Sequence, residues 1–82
     1  MEIFTKNLAE KTVVDVDGSV IGELHNVTID YSTGELRNLI VTPDDNITQQ
    51  KRNRLKYRQD DEGRFLIGSE TVTAIKDQVV VQ

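Results

Sequence analysis

Turn signals interrupt this chain so regularly that no long helix fits between them. Asp17-Gly18 follows the β-branched run "TVVDV", and a D-G pair between apolar runs is a strong hairpin signal. "VIGELHNVTIDY" then reads as a long strand closed by the turn "STG" (Ser32 to Gly34). "ELRNLIVTP" is a third strand, ended by Pro43, which has no N–H to give a ladder. Residues 44–53, "DDNITQQKRN", lack periodicity and read as a loop. "RLKYRQ" alternates, with Leu55 and Tyr57 on one face and Arg54, Lys56 and Arg58 on the other. "DDEG" turns the chain into "RFLIG", and "TVTAIK" and "VVV" close it on either side of Asp77-Gln78. "EIF" and "NLAEK" near the start read as a short strand or turn. The expectation is one all-β domain over residues 1–82, a small barrel of about six short antiparallel strands.

Two details sharpen that picture. Val27, Ile29 and Tyr31 share one strand phase, whereas Leu24 lies on the other. The switch predicts a bulge near His25-Asn26, as a strand wrapping a small barrel needs. Leu39-Ile40-Val41 and Val79-Val80-Val81 are apolar on both faces. One face of each can fill the barrel, and the other is a candidate for self-association or partner binding.

Composition narrows the function. A chain of 82 residues without cysteine has neither disulfides nor a Cys/His zinc cluster, and buries only about 60% of its unfolded surface. Self-association is a common remedy. The N-terminal "MEIFTKNLAEK" lacks the charged and apolar regions of a secretory signal, and no apolar run approaches the length of a membrane span. The expectation is a cytoplasmic protein with no direct membrane insertion. A net charge of −4 disfavours general nucleic-acid binding.

Sites of chemistry fail on spacing. A calcium loop over Asp15 to Asn26 would have its glycine, Gly18, at the fourth position instead of the sixth, and Asn26 where a bidentate Glu belongs. "GSVIGE" has the wrong spacing for a phosphate loop and Glu23 in place of its lysine. His25 stands mid-strand without an orienting partner, and Ser19, Ser32 and Ser69 occupy turn-like contexts. No catalytic residue, cofactor or metal ligand is expected, and the chain is not read as an enzyme. The cluster "KRNRLKYR" (Lys51 to Arg58) holds five of the ten Lys and Arg residues. Arg54, Lys56 and Arg58 are either the wet face of a strand or an electrostatic patch for an acidic partner. With Tyr57 interleaved, RNA or anionic lipid is the remaining reading, and Asp60, Asp61 and Glu62 should partly neutralise the cluster.

The succession Asp17-Gly18, Ile21-Gly22, Val27 to Asp30, Thr33-Gly34 and Leu39 to Val41, closed by "SETVTAIKDQVVV", resembles the PRC-barrel family over essentially the whole chain. Gly68 departs from the family, where many members carry proline. Members are small β-barrels that serve as interaction modules, in the photosynthetic reaction centre, in the ribosome maturation factor RimM and as stand-alone proteins. The rhythm "LxNxTxDxxTGEL" (Leu24 to Leu36), "DDEGRF" and "AIKDxxVVQ" is similar to stand-alone archaeal PRC-barrel proteins of cell division. That resemblance implies a non-catalytic adaptor. It would form a homo- or heterodimer, with itself or a paralogous PRC-barrel protein, and bind SepF, the anchor of the FtsZ ring, with recruitment to the division site. The rival reading is an RNA- or ribosome-associated module of the RimM kind; a third is a small-ligand or stress-response barrel.

Overall fold

The computed structural model describes residues 10–82. "EIF" and most of "NLAEK" lie outside the described residues. The elements in chain order are β1 (Thr12–Asp15), β2 (Val20–Ile29), β3 (Leu36–Pro43), α1 (Gln49–Leu55), β4 (Arg58–Gln59) and β5 (Phe65–Gly68). A 3₁₀ turn (Ser69–Thr71), β6 (Val72–Ile75) and β7 (Val79–Val81) follow. The strands form one sheet in the order β4-β5-β3-β2-β1-β7-β6. The all-β expectation holds, with three differences. There are seven strands rather than about six, β1 and β7 pair in parallel, and among the described residues β4 and β6 end the sheet without meeting.

The turns form for the reasons their residues suggest. In the β1–β2 connection the Asp15 carboxylate accepts from the backbone N–H groups of Asp17 and Ser19, both at 2.9 Å. Gly18 adopts φ +85° there, a left-handed conformation that costs glycine nothing. The phase switch in β2 is a register shift between Leu24 and Asn26 against β3. It swings Leu24 into the core while His25 and Asn26 stay exposed. Gly22 is buried beneath β3, and a Cβ on it would overlap the Thr42 carbonyl oxygen.

The core is the inward face of this bent sheet: Val13, Ile21, Leu24, Leu39, Val41, Phe65, Ile67, Val79 and Val81. Each is at most 2% exposed. Ile47, Leu55 and Tyr57 pack against it from the β3–β4 connection. Both ends of the sheet are protected in recognisable ways. β4 is only two residues long and carries Arg58. β6 has a register shift at Thr73, whose hydroxyl donates to the Val80 carbonyl at 3.2 Å.

The expected loop over 44–53 is half helix, and the expected strand "RLKYRQ" is mostly not a strand. Thr48 caps α1, its side chain accepting from the Lys51 N–H at 3.0 Å. Lys56 ends the helix in the left-handed conformation at φ 57°, and only Arg58 and Gln59 join the ladder. That reversal explains why Leu55 and Tyr57 share the inward side without belonging to one strand.

Candidate interaction surface

Side chains alternate across β3, β5 and β7, so the apolar triplets divide as their alternation requires. Leu39 and Val41 are buried and Ile40 is half-buried on the outer face; Val79 and Val81 are buried and Val80 is half-buried. Ile40 and Val80 do not form one patch. They sit on β3 and β7, with β2 and β1 between them.

Ile40 has a different set of neighbours. Its register partner on β5 is Leu66, also half-buried on the outer face, and the partner of Leu66 on β4 is Arg58. On the other side Ile40 pairs with Asn26 of β2. Adjacent strands lie about 4.8 Å apart, so Arg58, Leu66, Ile40 and Asn26 make a continuous row across the outer face.

The basic cluster divides into two groups. Lys51 pairs with Asp15 at 3.6 Å, both side chains being 17% exposed, and Arg52 lies over the Phe65 ring at 5.7 Å from its centroid. These two hold α1 against the sheet. Arg54, Lys56 and Arg58 are exposed, and none of them takes part in an ion pair among the described residues. Asp60 and Glu62 do not neutralise them as expected, because both pair with Arg64. The Asp60 carboxylate also accepts from the N–H groups of Glu62 and Arg64, each at 2.9 Å. Hydrogen bonding to the Arg64 backbone, above all, holds its pKa below the ordinary aspartate value.

Tyr57 is turned inward. Its ring meets Phe65 at a centroid distance of 5.6 Å, and its hydroxyl donates to the Gln82 carbonyl at 3.3 Å. Burial, with the charge of Asp15 second, pushes its pKa up. A ring so occupied is not available to stack on a base, which removes the aromatic half of the RNA-binding motif.

A groove of about 500 Å³ opens where β1, β2 and the end of β3 meet. Glu10, Glu23, His25, Thr42, Asp44 and Asp45 are among its lining residues. Sequence reasoning missed it, since Asp44-Asp45 reads as a solvated turn and Glu23 lies twenty-one residues upstream of Asp44. The β2–β3 register, which pairs Glu23 with Thr42, brings them together. The Ser32 hydroxyl donates to Asp30 at 2.6 Å within the β2–β3 turn. Among the described residues no three His, Asp or Glu side chains are placed to hold a metal ion.

Fold and surface together define a small β module built around a core, with its charged and apolar features on the outside. The family model described as the PRC-barrel domain matches residues 1–82, and the chain belongs to that family of small, non-catalytic interaction modules. Comparison with curated protein sequences gives no match. No described helix is long and apolar enough to cross a membrane.

Proposed function

We propose that this chain is a docking adaptor of the archaeal cell-division apparatus, binding a SepF-like anchor of the FtsZ ring and pairing with itself or a paralogous PRC-barrel protein. The observation that carries the adaptor reading is the outer-face row: two half-buried apolar side chains, Leu66 and Ile40, continuous with a cationic edge at Arg58. A half-desolvated apolar centre with a charged rim is the anatomy of a protein interface. The division role is supported by the sequence rhythm from Leu24 to Leu36 and the "AIKDxxVVQ" end. Its mechanism is docking, with no bond made or broken, and recruitment to the division site follows from the anchor.

The test is calorimetric titration of the chain with the globular domain of SepF from the same cell, alone and with a paralogous PRC-barrel protein present. Saturable heat that persists at moderate salt supports the reading. Absence of heat and of co-elution in both arrangements overturns the division role.

A further inference from the structure

β4 ends the sheet, and among the described residues no strand pairs with its far edge. The hairpin that joins β4 to β5 fixes what this edge offers. The Asp60 N–H donates to the Arg64 carbonyl at 3.0 Å, which makes those two residues a hydrogen-bonded pair. Bonded and non-bonded pairs alternate along an antiparallel ladder, so Gln59 and Phe65 are a non-bonded pair and Arg58 and Leu66 a bonded one. The Gln59 N–H and carbonyl therefore point away from β5, and neither has a backbone partner among the described residues. The charge beside this edge is of one sign. Arg58 lies in β4, Lys56 stands two residues before it, and Arg54 is in the last turn of α1. All three are exposed, and none takes part in an ion pair among the described residues. Leu55 and Tyr57, which alternate with them, are the ones that pack on the core. Of the acids that follow, Asp60 and Glu62 pair with Arg64, which leaves Asp61 against three cations.

We propose that the β4 edge takes an acidic, extended segment of a partner protein, whose backbone pairs with Gln59 and whose carboxylates reach Arg58, Lys56 and Arg54. The proposal rests on the adaptor reading and names the chemistry of the segment the adaptor docks. Two observations carry it: charge complementarity to three uncommitted cations, and a free donor and acceptor on one residue of an edge strand. Cations beside an edge keep two such edges from pairing with each other, and the same charge attracts an anionic strand. A peptide backbone answers both groups of Gln59, its carbonyl accepting and its N–H donating. A phosphate chain offers acceptors but no N–H, and the inward-turned Tyr57 gives a base nothing to stack on.

The experiment is an NMR titration of the isotope-labelled chain with a synthetic peptide of about eight alternating Thr and Glu residues, whose carboxylates share one face when extended. The peptide is expected to bind saturably, and more weakly as salt rises. It should shift the amides of Lys56, Arg58 and Gln59 first and slow hydrogen exchange at Gln59. Lys56→Glu with Arg58→Glu should lower its affinity about ten-fold or more, with circular dichroism confirming the fold. Arg37→Glu, which reverses an exposed cation of β3, should change the affinity by about three-fold at most. A peptide of alternating Thr and Gln should not bind.

A peptide that does not saturate at low salt, unchanged Gln59 exchange in the bound state, or an equal loss of affinity in Arg37→Glu would each overturn the proposal. A uridine oligonucleotide of equal charge that protects Gln59 as well as the peptide does would overturn it in favour of RNA. Titrating the SepF domain into the wild type and the double variant separates this failure from failure of the division role. SepF binding without peptide binding overturns the edge and leaves the adaptor standing, whereas peptide binding without SepF binding removes only the division partner.

Discussion

Gly22→Ala is the sharpest probe of how the sheet is packed. Gly22 pairs with Pro43 across β2–β3 and with Val13 across β1–β2, so three strands meet at it. A methyl group there would overlap the Thr42 carbonyl oxygen, with the Thr42 carbonyl carbon at 2.9 Å and Val41 Cγ1 at 3.0 Å. Two of these three atoms are backbone, so no rotamer change relieves the clash, and β3 itself must move. Overpacking of this kind costs about 1–3 kcal/mol. Displacing β3 weakens neighbouring ladder bonds, among them the Asp44 N–H to Ile21 carbonyl bond of 2.9 Å, at about 1 kcal/mol each. Against this, alanine restricts the unfolded chain and returns about 0.4–1 kcal/mol. The net expectation is a loss of about 2–3 kcal/mol, a large share of the roughly 4–12 kcal/mol that a domain of this size possesses. In a thermal melt followed by circular dichroism it should lower Tm by about 10–20 °C. Gly18→Ala is the control. It meets no atom within 4 Å but sits at φ +85°, and should cost only about 1 kcal/mol. A Gly22→Ala protein melting within a few degrees of the wild type would refute the reasoning, since β2 and β3 could then not be packed as tightly as described.

Two further outcomes are expected. Tyr57→Phe retains the packing on Phe65 and loses one half-exposed hydrogen bond to Gln82, so denaturant unfolding should show a loss of about 1 kcal/mol or less; a loss above 3 kcal/mol would contradict that geometry. The second concerns acid. Asp30 is held below its ordinary pKa chiefly by the Ser32 hydroxyl, then by the Ser32 N–H, and Asp60 chiefly by the Arg64 N–H. A carboxylate depressed in the folded state contributes stability that is complete above the unfolded value and is lost as pH falls towards the folded one. Unfolding free energy should therefore decline below about pH 4, and Asp30→Asn with Asp60→Asn should flatten that decline in an acid titration followed by fluorescence or circular dichroism.

What was legible in the sequence was local. Asp17-Gly18 and Thr33-Gly34 announce their hairpins because glycine tolerates the backbone those turns require, and the bulge at His25-Asn26 shows as a break in a two-residue period. The alternation of Leu39 to Val41 separates a core face from an outer one, and Ile40 falls on the outer face as the pattern allows. The helix was missed because Leu55 is its only apolar residue, too little to create a helical period. Thr48 as a cap before "QQKRNRL" was the available signal. Two residues with inward side chains two positions apart look like a strand, yet Leu55 and Tyr57 reach that arrangement through a helix end and a left-handed Lys56. The acidic groove was beyond sequence reading, because only the register of β2 against β3 joins Glu23 to Asp44 and Asp45. The division of the basic cluster depends likewise on where Asp15 and Phe65 sit, and neither is near it in sequence.

The parallel pairing of β1 with β7 has a kinetic consequence. Val13 lies beside Val79 and Asp15 beside Val81, contacts between residues more than sixty positions apart. Loops of that length close at an entropic cost that no nearby contact offsets, and chains rich in such contacts fold slowly for their size. During synthesis the hairpin of β2 and β3 can form early, but the core lacks two of its fully buried valines until residue 81 has cleared the ribosome. Until then the inward faces of Val13, Ile21 and Leu39 are open to water. The nascent chain thus remains an incomplete sheet from the emergence of β1 to that of β7, and this interval is when it is most exposed to aggregation and proteolysis.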